Sequence, residues 1–209
     1  MKRFLSLLLL SLLLSACGHK SAPQENRENA HYARIGLDSG SLKLEFLDAL
    51  PENQDPDDIV FIKVTPGTVT VGTLRSINEE KYFIMTKPVT KKQLSKLIGT
   101  EPGDDIASET PFASIEQAMQ KLTKANPEMV FSIPKARQWD FAFLSGKINE
   151  NDQPICWEWA VMNNSDAYTW RGRIWHIMEM YEEAEKERST DTIKSDLSFR
   201  FVFREKAAK

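Results

Sequence analysis

Few side chains in this sequence can act as nucleophiles, metal ligands or proton carriers, and their spacing restricts what they can do. There are two cysteines, Cys17 and Cys156, and three histidines, His19, His31 and His176. Cys17 lies in a leader segment treated below, which leaves Cys156 as the one remaining thiol. One thiol cannot staple a fold, and no multi-cysteine metal cluster can be built from it. His19 and His31 lie in a polar leading stretch, so no metal or other cofactor is expected. Glu158 stands between Trp157 and Trp159, where burial can raise a carboxylic acid towards the range of a general acid. The simpler role is structural, with the carboxylate accepting hydrogen bonds from backbone or arginine. His176 beside Trp175 offers a base or a ligand, but a histidine among core aromatics is more simply packed and hydrogen-bonded. Met178 and Met180, at alternating spacing, read as packing methionines rather than copper ligands. No Ser-His-Asp order, phosphate loop or carboxylate pair stands out, so no catalytic residue is assigned.

The leader has its own chemistry. Lys2 and Arg3 precede an apolar run from Phe4 to Leu14, interrupted by Ser6 and Ser11. Eleven helical residues span only about half of a bilayer's hydrocarbon core, which is the length of a cleavable signal. The run ends in Leu14-Ser15-Ala16-Cys17, which resembles the lipobox of bacterial lipoproteins, where a cysteine is acylated before cleavage. The resemblance implies a signal peptide over 1–16 and a lipid-bearing N-terminus at Cys17. Two or more acyl chains hold a protein stably on a membrane. Position 18 is glycine rather than aspartate, which in lipoproteins favours the outer membrane, facing the periplasm.

Cleavage there leaves 209 − 16 = 193 residues and takes the formal charge from −3 to −5, since Lys2 and Arg3 are lost. A mildly acidic chain without a basic patch is not a nucleic-acid binder. Eleven Phe and five Trp supply a sizeable core. Residues 17–41 read as a lipidated flexible tether, and 42–209 as one folded domain.

Within that domain, Ser41–Leu47 alternates like a half-buried strand, and Pro51–Asp58 is an acidic turn. Ile59–Val64, the turn Thr65-Pro66-Gly67-Thr68 and Val69–Gly72 read as a hairpin, and Glu80–Met85 as a further strand. Thr90 with Gln93 forms a capping box for a helix ending at Gly99. Ser114 with Gln117 repeats the pattern for a helix stopped by Asn126-Pro127. A third helix follows Pro134, with Ala136, Trp139, Ala142 and Phe143 inward and Gly146 closing it. Past Lys147 the chain reads as irregular and Trp-rich. Ile177–Arg188 reads as a helix whose acidic run is a solvated face, and Leu197–Phe203 as a closing strand.

Seven blocks recur in a familiar order. They are Val60–Gly72; Tyr82-Phe83-Ile84-Met85 leading to Val89-Thr90; Pro111-Phe112-Ala113-Ser114; Ser132-Ile133-Pro134 through Trp139 to Ala142; Trp157-Glu158-Trp159; Arg171-Gly172 with Trp175; and Ser198-Phe199-Arg200. This order resembles the formylglycine-generating-enzyme, or sulfatase-modifying-factor, family over Val60–Val202, about two thirds of the chain. The most specific match is to the family's Arg-Leu-Pro-Thr-Glu-Ala-Glu-Trp-Glu-Tyr-Ala block. The resemblance implies an α+β domain related to C-type lectins, with short sheets, three to four helices and long loops. Pro134, Trp139, Trp157, Glu158, Trp159 and Arg200 are its structural motif residues.

The family's oxidases place two cysteines after the Arg-Gly-Gly-Ser block to hold copper, but His176–Glu182 contains none. The three histidines of the iron-dependent relatives are missing as well. The asparagine that binds calcium ahead of Trp-Glu-Trp is absent from Pro154-Ile155-Cys156, and Arg173 replaces the second glycine. The implied protein is a pseudoenzyme that binds rather than catalyses. Its candidate contact residues are Arg171, Arg173, Trp175, His176, Met178 and Tyr181, aromatic and arginine groups of the kind that anchor interfaces. The expected partners are the membrane, through the lipid at Cys17, and a protein of the envelope. One concrete form is an immunity lipoprotein that neutralises a toxic effector. Alternatives are an enzyme using Glu158 and His176 in unrecognised chemistry, and an envelope structural or assembly lipoprotein.

Overall fold

Tyr82-Phe83-Ile84-Met85 carries no charge, and a strand of that composition has to be covered on both faces. The computed structural model, which describes residues 24–103, 105–148, 157–163, 165–171, 187–195 and 197–207, shows how this is done. The elements run α1 (Gln24–Asn29), β1 (Tyr32–Ile35), β2 (Glu45–Leu47), β3 (Ile59–Val64), β4 (Gly67–Val71), β5 (Leu74–Asn78), β6 (Tyr82–Met85), α2 (Lys91–Ile98), α3 (Phe112–Ala125), β7 (Met129–Ser132), α4 (Ala136–Leu144), β8 (Trp157–Val161), β9 (Tyr168–Arg171), β10 (Leu197–Ser198) and β11 (Val202–Glu205). The main sheet has the order β2-β1-β3-β6-β11-β7 and is antiparallel throughout.

All four residues of β6, near the middle, are buried. Phe83 and Met85 pack on the face covered by α2 and α3, with Leu94, Leu97, Ile115 and Leu122. Tyr82 and Ile84 turn to the other face, against Trp139, Phe141 and Ala142 of α4. The first face is rich in phenylalanine: Phe83 stacks on Phe203 at 4.8 Å, and Phe61 meets Phe203 edge-on at 4.9 Å. Such aromatic pairs each add about 0.5–1.5 kcal/mol beyond the area they bury.

The sheet curls. Phe46 of edge strand β2 reaches Phe83 and Phe203, at 5.7 and 6.2 Å. Asn126, just past α3, holds the segment before β2 by donating to the Leu42 carbonyl and accepting from the Leu44 N–H, at 2.8 and 2.9 Å. Helix α1 bridges the two edges: Arg27 pairs with Glu128, beside β7, and lies 5.7 Å from the Phe46 ring centre. A second sheet, β10-β8-β9, is parallel between β10 and β8 and antiparallel between β8 and β9. Hairpin β4–β5 leans on α4.

Several sequence expectations need correction. Residues 17–41 are not all tether: α1 begins at Gln24, and β1 lies inside the main sheet between β2 and β3. Ala33 and Ile35 face inward and are fully buried. Only one of them is bulky, so the alternation is faint in the sequence. Strand β4 does not pair with β3; it pairs with β5, across a turn in which Gly72 takes a positive φ of 58°. Helix α3 starts at Phe112, before Ser114, because burial of Phe112 fixes its first turn and no side chain caps it. The stretch after residue 156 holds regular strands, β8 and β9. The closing strand is split: β10 joins the small sheet and β11 the large one, with Arg200 between them. The capping box at Thr90 and Gln93 forms, and Gly99 ends α2 at φ 78°. Of the expected helix over 177–188, residues 172–186 lie outside the described part.

Candidate functional site

Pro134 delivers the chain from β7 to α4. Its carbonyl accepts from the Val161 N–H at 2.9 Å, which ties the start of α4 to the end of β8. Gln138 turns back on the same corner, accepting from the Lys135 N–H at 2.9 Å, while its own carbonyl accepts from the Tyr82 hydroxyl at 2.7 Å. One residue on, Trp139 stacks on Phe143 at 5.3 Å and points its indole N–H at Glu158 Oε2, 3.1 Å away.

Glu158 sits in the central strand of the small sheet, in register with Ser198 on one side and Arg171 on the other. It is 1% exposed, and Arg200 is fully buried. The two meet in a fork: Nε donates to Oε2 at 2.5 Å and Nη2 to Oε1 at 2.6 Å. Nη1 donates to the Met85 carbonyl at 2.8 Å and to the Thr86 carbonyl at 3.3 Å. This pair therefore joins the small sheet to the end of β6 in the large one. A bidentate arginine–carboxylate bond is among the strongest hydrogen-bonded arrangements, and it survives burial only when the remaining donors and acceptors are also used. Both Glu158 oxygens accept from donors, which makes the group an acceptor hub between the two sheets.

The aromatics around it form the core of the small sheet. Trp159 is buried against Phe112 at 5.2 Å, Trp170 at 6.0 Å and Tyr168 at 6.3 Å. Trp157 is half-buried, and its carbonyl accepts from the Ser198 hydroxyl at 3.2 Å. Of the six candidate contact residues, Arg171 alone falls in the described part. It is 6% exposed and its guanidinium pairs with Asp140 at 3.2 Å and donates to the Trp170 carbonyl at 3.1 Å. That is a correction: Arg171 serves packing between β9 and α4 and is no exposed recognition group. Arg173, Trp175, His176, Met178 and Tyr181 lie outside the described residues, as do Cys17 and Cys156. The structure thus brings Trp139, Glu158 and Arg200 to one point, while Pro134 is tied to the end of β8 at Val161.

Two clusters have no counterpart in the sequence reading. The Arg188 guanidinium and the Lys194 ammonium stand 4.3 and 4.7 Å from the Trp170 ring centre, positions favourable for cation–π attraction. Near the beginnings of β3 and α2, Asp57 accepts Lys92 at 2.7 Å and Lys96 at 3.0 Å, while Lys96 also reaches Asp38. Lys92 and then Lys96 hold the Asp57 carboxyl below its ordinary range. Asp58 next door moves the other way: burial raises it, against the pull of Arg34 at 3.4 Å. The i, i+4 spacing of Lys92 and Lys96 is visible in the sequence, but their carboxylate partners come from distant segments.

Among the described residues, no group of three or more His, Cys, Asp or Glu side chains is arranged to hold a metal ion, and no helix is long and apolar enough to cross a membrane. The fold and site define an α+β protein whose curled antiparallel sheet is locked to a smaller sheet by one buried ion pair. No family model matches the chain, and no curated protein or solved structure matches it significantly.

Proposed function

We propose that this chain is a lipid-anchored, non-catalytic binding protein of the bacterial cell envelope, with a degenerate formylglycine-generating-enzyme-like domain as its folded part. The observation that carries the reading is a convergence. Trp139, Glu158 and Arg200 come from three separate sequence blocks of the resemblance, more than sixty residues apart end to end, and form a single hydrogen-bonded unit. The carboxylate that an enzymatic reading would need, Glu158, is committed to Arg200 and Trp139. Binding then falls to the segment after Arg171, where Arg173, Trp175, His176, Met178 and Tyr181 carry groups suited to a protein partner. A lipid at Cys17 holds the domain at the outer membrane, facing the periplasm. An immunity lipoprotein against a toxic effector is the concrete form of the proposal.

Three experiments test it. Cells fed an alkyne fatty acid should yield labelled protein of the cleaved, acylated mass, and Cys17→Ala should abolish the label; an unlabelled native chain refutes the anchor. Cross-linking pull-down from envelopes should recover a protein that is lost in the Arg173→Ala, Trp175→Ala variant, and unchanged recovery refutes the chosen face. Stoichiometric copper or iron in the purified protein would refute the non-catalytic reading.

A further inference from the structure

The register of the main sheet gives it two distinct ends. Tyr32 pairs with Leu47 and Ile62, Val64 with Tyr82, and Met129 with Glu205. One end therefore gathers the beginnings of β1, β6 and β7 with the finishes of β2, β3 and β11. The opposite end gathers Ile35, Glu45, Ile59, Met85, Ser132 and Val202. Five residue steps along β3 put the two ends about 17 Å apart.

Helix α1 is fixed to the first end. Arg27 pairs with Glu128, Lys63 donates to the Glu28 carbonyl at 2.6 Å, and the His31 N–H donates to the Leu47 carbonyl at 3.0 Å. The Arg200–Glu158 pair belongs to the second end, because Arg200 bonds the Met85 and Thr86 carbonyls just past β6.

The first described element begins at Gln24, so the leash from Cys17 to it is seven residue steps and spans at most about 25 Å. A chain of this size folds to roughly 40 Å across, more than the leash can reach around. We propose that the α1 end of the sheet, with Asp48, Lys63, Lys81, Glu128 and Glu205 at its rim, is the face that lies against the bilayer, and that the Glu158–Arg200 end points away from it. The inference rests on the lipid-anchor reading of Cys17 and adds an orientation to it. The rim mixes acidic and basic groups, with Lys63 facing Lys81, Asp48, Glu205 and Glu28. Proximity is therefore imposed by the leash and does not require anionic lipid. It also leaves the small sheet on the aqueous side, where a soluble partner arrives.

The test uses the full, acylated protein in phosphatidylcholine vesicles carrying a spin-labelled headgroup quencher. In a Cys156→Ser background, single fluorophores go on Asp48→Cys or Lys81→Cys at the near end, and on Asp38→Cys or Lys87→Cys at the far end; all four positions are exposed. Quenching should be several-fold stronger at the near pair. A long Gly-Ser spacer inserted after Gly18 should erase the contrast. Equal quenching at both ends on protein of confirmed acyl mass overturns the orientation alone. Protein without acyl mass overturns the anchor reading and the orientation with it.

Discussion

Replacing Arg200 with methionine keeps side-chain length and removes the charge, which strands Glu158 in the interior. The carboxylate loses two donors and retains only the Trp139 indole, while the Met85 and Thr86 carbonyls lose theirs. Breaking a buried ion pair from one side costs about 3–5 kcal/mol. Against a total stability of roughly 5–15 kcal/mol, that is a large share. For a domain of this size each kcal/mol moves the melting temperature by about 2–4 °C, so Arg200→Met should melt roughly 6–20 °C lower. The second variant Glu158→Gln, Arg200→Met removes the stranded charge while leaving an acceptor for Trp139, and should be more stable at neutral pH than Arg200→Met alone. Urea titrations at neutral pH, followed by tryptophan fluorescence and circular dichroism, measure both losses. A loss below about 1 kcal/mol, the scale of one ordinary hydrogen bond, or a double variant no more stable than Arg200→Met, refutes the claim that the pair is the lock between the two sheets.

Other outcomes follow from the same contacts. The folded Asp57 carboxyl lies below its unfolded value, so its stabilisation is present above about pH 3.9 and lost as pH falls through the folded value; Asp57→Asn should flatten that part of the acid-unfolding curve. Asp58 has the opposite sign, since its raised folded value favours the folded state at low pH and loses that advantage as pH rises, and Asp58→Asn should remove the opposing slope. Deleting 18–35, which removes β1 from between β2 and β3, should leave a chain with no cooperative melt. Thr90→Ala opens the capping box of α2 and should cost about 1 kcal/mol in a thermal melt, with Gly99→Ala adding strain at the left-handed stop.

What the sequence made legible was whatever short-range chemistry dictates. Thr90 and Gln93 announce the start of α2 because both partners lie within one helical turn. Ile59–Val64 and Tyr82–Met85 announce buried strands because nearly every side chain is apolar. Strand β1 stayed hidden for the converse reason. Tyr32-Ala33-Arg34-Ile35 has a single bulky inward residue, and its place is set by the neighbours on both sides, Phe46 across one edge and Phe61 across the other. The hairpin is not legible because a turn at Pro66-Gly67 fits β3 with β4 as well as any local rule can test, while the actual partner of β4 follows a second turn at Gly72. The central lock is a mixed case. The Glu in Trp-Glu-Trp and the Arg in Phe-Arg each stand out, yet nothing within ten residues of either names the other. Their pairing depends on β10 and β11 dividing between two sheets, so that the chain passes through the interior at Arg200. A full positive charge can be buried there because Glu158 and the Met85 and Thr86 carbonyls accept four hydrogen bonds from the guanidinium. The chain break between β10 and β11 and the ion pair are thus one feature: the same interior crossing that ends one sheet and starts the other puts the arginine where only a buried carboxylate can neutralise it.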